Sequence, residues 1–162
     1  SGKGSPSLVA MDEKRYPLAR ILDQIDALQI PAQPDAAALA AALRAPEPVL
    51  RYWGAVAALR ASTPPDVTAL LADAEPVVRL AAAEVMLRRA DNGAAWAVVE
   101  SVLNDGTKIE ARLFAVNVVA RIPRPAPKAI VSVLALLASS TAAGGGENYT
   151  ARAADYLVRS TL

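Results

Sequence analysis

The sequence predicts an all-α fold: a stack of short helical hairpins, about nine helices in an α-solenoid, with no β-sheet. Three observations carry this. Hydrophobic residues make up 54% of the 162 residues, while aromatic residues reach only 4%. Alanine supplies much of the remainder, so the core must be built from Ala, Val, Leu and Ile in closely packed helices. Proline or glycine breaks the chain at short intervals, and a helix–turn–helix pattern recurs at a fixed offset.

Residues 1–12 are rich in Gly, Ser and Lys and read as a flexible lead-in; Ser1-Gly2 reads as an expression scar. Residues 13–162 read as one helical repeat domain. Helical spacing begins at Tyr16-Pro17, where proline suits a first turn. Leu18, Ile21, Leu22, Ile25 and Leu28 then recur at three- and four-residue steps, one face of an amphipathic helix ended by Pro31 and Pro34. Helices are expected over 35–44, 49–61, 66–72, 77–90 and 94–103, separated by turns that carry Pro48, Pro64-Pro65, Pro76, Gly93 and Gly106. The next helix, 108–121, is expected to open with a capping box of Thr107 and Glu110. Pro123, Pro125 and Pro127 break the chain again, a helix follows over 129–138, a glycine-rich loop spans 142–146, and a last helix runs from about Asn148 to Ser160.

The repeat is the strongest of these signals. Pro48-Val49-Leu50-Arg51 aligns with Pro76-Val77-Val78-Arg79 at an offset of 28 residues, and Leu59-Arg60 then falls on Leu87-Arg88. A looser copy at an offset of 32 sets Ile109 under Val77, Ala115 under Ala83 and Val119 under Leu87. Ala153-Ala154-Asp155 matches Ala82-Ala83-Glu84. A hairpin of this size cannot bury its apolar face alone, so hairpins of fixed period stack. The run Asp73-Ala74-Glu75-Pro76-Val77-Val78-Arg79 resembles the start of the second helix in HEAT-like repeats, which implies a right-handed solenoid of compact hairpins.

Three strings carry a narrower resemblance. They are Tyr16-Pro17-Leu18-Ala19-Arg20-Ile21-Leu22, Arg51-Tyr52-Trp53-Gly54-Ala55, and the run from Asn148-Tyr149-Thr150-Ala151-Arg152 to Tyr156-Leu157. In this order they resemble the helical region C-terminal to the catalytic domain in bacterial arylsulfatase-type sulfatases. The resemblance implies a periplasmic or secreted parent enzyme whose catalytic domain lies outside this sequence. The sulfatase reaction uses a formylglycine made within a Cys/Ser-x-Pro/Ala-x-Arg signature, together with a calcium site of Asp and Asn. There is no cysteine here, and Ser5-Pro6-Ser7 is followed by Leu8 and Val9 rather than arginine, so those residues transfer to no position.

The chemistry available is narrow. There is no histidine, which removes the commonest general base and the commonest metal ligand. The net charge of +1 supports no long-range field for nucleic acid. No apolar run reaches the roughly 18 residues of a membrane span. Arg51 and Arg79 read as anion ligands or, as their repetition favours, as partners of carbonyls or acids of the neighbouring repeat. Asp73 with Glu75, and Asp91 with Asp105, read as metal ligands or as caps of free N–H groups at helix starts, with capping favoured. The glycines 144–146 lack the lysine and Ser/Thr of a phosphate loop and read as a loop. Arg121 and Arg124, among the prolines, read as a small peptide or anion site or, as favoured, a solvated turn. Catalytic, cofactor-binding and metal-ligating residues are therefore expected to be none, and the function expected is that of a non-catalytic accessory domain binding its parent's catalytic domain. The alternative is a free-standing scaffold for another protein.

The docking surface expected follows from a helical wheel. Val77 to Arg89 is apolar around most of its circumference, interrupted by Glu84 and Arg88 on one narrow side. Carried to the neighbouring repeats, that side comprises Trp53, Val56, Arg60, Glu84, Arg88 and Val116, an interaction surface with Trp and Arg as anchors.

Overall fold

The structure is a computed structural model that describes residues 17–140 and 149–160. Among these residues there are eight α-helices and one short 3-10 helix, and no strand. The helices are α1 (Leu18–Gln29), α2 (Ala36–Leu43), α3 (Pro48–Ala58), the 3-10 helix Thr68–Ala72, α4 (Pro76–Arg89), α5 (Gly93–Asn104), α6 (Ile109–Arg121), α7 (Lys128–Ser139) and α8 (Tyr149–Ser160). The all-α expectation holds. The lead-in, Tyr16, the glycine-rich loop and Asn148 lie outside the described residues. No helix among the described residues is long and apolar enough to cross a membrane.

The chain divides into two compact units, with the boundary between Pro64 and Pro65. In the first, α3 packs against both α1 and α2. Arg20 of α1 pairs with Glu47, the residue that precedes α3. At the other end, Arg60 donates to the Leu28 carbonyl and to Gln29 Oε1 at the close of α1. A cation there also meets the negative end of the α1 dipole. Only Leu28 of the α1 apolar face is buried; Leu18 and Leu22 are exposed.

In the second unit α4 packs against the 3-10 helix, α5 and α6; α5 also meets α6 and α7; α8 meets α6 and α7. One core of Leu80, Leu87, Val99, Leu103, Val118 and Ile130, with alanines between them, joins these helices. The alanines Ala83, Ala95, Ala115 and Ala154 are fully buried and let the helices approach closely.

The 28-residue repeat recurs as geometry. Glu47 and Glu75 take the same extended N-cap conformation, ψ 122° in both, and Pro48 and Pro76 each open a helix. Leu50 and Val78 are buried at matching positions, as are Ala55 and Ala83. The stretch expected as a helix over 66–72 forms a 3-10 helix instead. Pro64-Pro65 on one side and Asp73 on the other confine it, and the helix itself spans only the five residues Thr68–Ala72, a length at which the tighter i→i+3 turn is common. The capping box of Thr107 and Glu110 does not form: Lys108 occupies the N-cap of α6 and makes no side-chain cap bond. Thr107 instead donates its backbone N–H and its hydroxyl to Asp105. A carboxylate two residues away outcompetes a helix terminus for that hydroxyl.

At Gly54 the packing of α3 on α2 leaves little room for a side chain. A Cβ there would lie 3.1 Å from Ala42 Cβ and 3.2 Å from the Leu43 nitrogen. Gly54→Ala should therefore change stability by less than about 1 kcal/mol, since the helix propensity gained offsets the crowding. Gly54→Leu should destabilise by about 1–3 kcal/mol, as overpacking does. Urea unfolding of the two variants checks both values, and equal midpoints would contradict the close approach.

Candidate functional site

The acidic residues at the turns are occupied by backbone groups. Asp73 accepts from the Glu75 N–H and Asp105 from the Thr107 N–H, the same two-residue closure in successive turns. Asp66 accepts from Thr68 in like manner, and Asp35 and Asn92 cap α2 and α5. Asp91 accepts from the indole N–H of the buried Trp96. The bonds of Asp73 and Asp105 to backbone N–H groups match the capping reading of the sequence; Asp91 instead takes an indole, and Glu75, at the N-cap of α4, makes no side-chain cap bond. No group of three or more acidic residues among the described residues is placed to hold a metal ion. Thr107 holds the Asp105 carboxyl below its ordinary value, helped by the charges of Lys108 and Arg112. Thr68 does the same for Asp66.

Arg51 and Arg79 also serve structure, but their acceptors lie in the turn before their own helix and not, as expected, in the neighbouring repeat. Arg51 donates to the carbonyls of Ala45 and Pro46, at 2.9 and 2.8 Å. Arg79 donates to those of Asp73 and Ala74, at 2.7 and 3.1 Å. In both cases the guanidinium reaches back six and five residues and closes the turn that precedes its own helix. These carbonyls would otherwise lack partners at a half-buried bend.

The residues expected to form one accessible strip have different fates. Trp53 is half-buried and stacks edge-on against Tyr52, with ring centroids 5.2 Å apart; Val56 is half-buried and Arg60 exposed. Arg88 is exposed. Glu84 and Val116 offer no surface: they are 5% and 1% exposed. The helical wheel gives a direction around α4 but not what stands there, and α6 packs against α4. Val116 belongs to the core that this contact creates.

Glu84 is the one acid of α4 and is buried, and its partner is 37 residues on. Arg121 donates from Nε to Oε1 at 2.9 Å and from Nη2 to Oε2 at 2.8 Å, a two-pronged bond. Arg88, one turn along α4, adds a second cation at 3.2 Å. The Arg121 guanidinium lies 6.0 Å from the Phe114 ring centre. The signal in the sequence was an isolated acid inside an apolar helix, which demands a cation but does not say which.

A concave feature lies beyond Arg121. The segment Ile122–Pro127 is extended at its ends, where Ile122 and Pro127 have ψ 122° and 152°, and bends at Pro123 and Arg124, where the Arg124 N–H donates to the Ile122 carbonyl at 2.8 Å. It separates α6 from α7 while α8 packs against both. The gap is a pocket of about 520 Å³, walled by Val119, Ile122, Val131, Leu134, Leu157 and Val158, with Arg124, Pro125 and Ala126 along the turn. Arg124 is half-buried, and its Nε is shielded from solvent with no acceptor among the described residues. So the two arginines that the sequence groups together part company: Arg121 serves the Glu84 pair and Arg124 faces a pocket.

Two outcomes follow. Arg121→Met should destabilise by about 1–3 kcal/mol, below the cost of breaking a fully buried pair, because Arg88 stays close and Arg121 is partly solvated. Glu84→Met with Arg121→Met should recover most of that loss, and a double-mutant cycle by urea unfolding measures the coupling. Acid should act through the turns. A carboxyl lowered in the folded state stabilises the fold above its unfolded value and loses that contribution as pH falls through the folded one. The melting temperature should thus fall below about pH 4, and Asp105→Asn, which keeps an acceptor for Thr107, should flatten part of that fall. An unchanged acid slope in Asp105→Asn would contradict this. Compared with protein-family models, curated proteins and solved structures, the chain matches none.

Proposed function

We propose that the chain is a non-catalytic helical-repeat domain, a right-handed α-solenoid of HEAT-like hairpins, that acts by holding a protein partner. The observation that carries this is the paired closure by Arg51 and Arg79, in which two successive hairpins are built by the same bond at the same position. Contacts of α4 with α6, α5 with α7 and α6 with α8 support a stacked array, since each helix meets the next but one. The charged side chains at the turns are engaged in folding bonds, which supports a binding role over a catalytic one.

The partner proposed is the catalytic domain of a sulfatase in the same parent polypeptide, acting in the periplasm or outside the cell. This rests on the three strings that resemble sulfatase C-terminal regions. The surface that would serve it is in the first unit, where Trp53 is partly accessible and Leu18, Leu22 and Ile30 are exposed. Exposed apolar side chains of this size, with an aromatic anchor, suit a protein interface.

The test begins with the reading frame that encodes the chain. A formylglycine signature in it supplies the catalytic domain to be purified; titration calorimetry then measures its association with the chain. Trp53→Ala should weaken that association by about ten-fold while leaving the melting temperature nearly unchanged. The chain alone should release no sulfate from an aryl sulfate above a blank. A reading frame without the signature, or a catalytic domain that ignores the chain, would overturn the sulfatase assignment and leave the scaffold for another protein.

A further inference from the structure

We propose that the pocket between α6, α7 and α8 is a binding site for a small amphipathic carboxylate, an apolar chain or ring whose single carboxylate seats on Arg124. The proposal concerns the second unit alone and stands apart from the partner proposed above. At about 520 Å³ the pocket has the size of small-molecule sites, and its walls have their character: apolar side chains with few polar groups.

The charge selects the ligand. Arg124 is the cation among the residues lining the pocket, and no Asp or Glu is among them, so nothing there repels an anion. Arg121, three residues earlier, spends its fork on Glu84. The Arg124 Nε has no acceptor among the described residues. A neutral apolar ligand would fill the walls but further desolvate a guanidinium without pairing it, which costs free energy. A monocarboxylate pairs it charge for charge and matches the guanidinium fork. A phosphate monoester would bring more charge than one guanidinium offsets against Val119, Ile122, Leu134 and Leu157. Pro123, Pro125 and Pro127 restrict the turn that carries Arg124, so the cation is held at the pocket before any ligand arrives.

The probes are decanoate, decanol and decylamine, titrated into the full chain by calorimetry, with methyl NMR shifts reporting Val131, Leu134, Leu157 and Val158. Decanoate should bind saturably and shift those methyls, decanol should bind about ten-fold more weakly or worse, and decylamine should not bind. Arg124→Met should bring decanoate down to decanol and leave decanol unchanged. Ala126→Trp, which fills the pocket, should abolish both. Should that variant fail to fold, the wild-type methyl shifts and Arg124→Met still decide the matter. No saturable binding of decanoate, equal affinity for decanoate and decanol, methyl shifts confined to other parts of the chain, or a carboxylate preference that survives Arg124→Met would each overturn the proposal.

Discussion

The larger unit depends on one constraint: an ionised carboxylate, Glu84, lies inside it and must be paired. Burying a charge without a partner costs more than a domain of this size can spare. The partner is Arg121, the last residue of α6. Because the bond is two-pronged, it sets both the position and the orientation of that helix end against α4. The proline segment starts at the next residue but one, so the place where the chain leaves α6, and with it the position of Arg124, follows from the pairing. A hydrophobic residue at Glu84 would fill the same space without dictating a register. The charge pair contributes more to the arrangement of α4 and α6 than to net stability.

The smaller unit is held by another means. Its helices meet through Gly54, where the backbone of α3 approaches Ala42 and Leu43 closely enough that even a methyl group would be crowded. Ionic and hydrogen bonds at both ends of α1, from Arg20 and to Arg60, then hold a helix whose apolar face is only partly buried. The two units share a construction rule in the turn before the helix, namely a glutamate in extended conformation, a proline at the first position and an arginine that closes on carbonyls behind it. The rule is local, since it involves residues no more than six apart. It therefore survives in units whose cores differ.

Function divides along the same line. The groups that a catalytic reading would need are committed to the fold: Asp73, Asp105 and Asp66 to backbone N–H groups, Asp91 to an indole, Glu84 to two arginines. The two proposals rest on other features, exposed apolar surface in the smaller unit and a concave apolar space with one half-buried cation in the larger.

The sequence by itself determined the helical class, the places where helices break, and the local closures. Proline and glycine act through backbone dihedrals and lost N–H groups, and Asp or Arg within six residues of its acceptor finds it whatever the rest of the chain does. The stripe through Glu84 and Val116 was misread as open because period alone gives the direction of a side chain and not its neighbour. Only the tertiary structure decided that α6 stands against α4, that the distant Arg121 joins the nearer Arg88 on Glu84, and that α8 bridges α6 and α7 across a gap. Those outcomes join residues some 37 positions apart through packing and desolvation. A charge inside an apolar helix says that a partner is required, while the choice among several arginines rests on geometry that exists only once the helices are assembled.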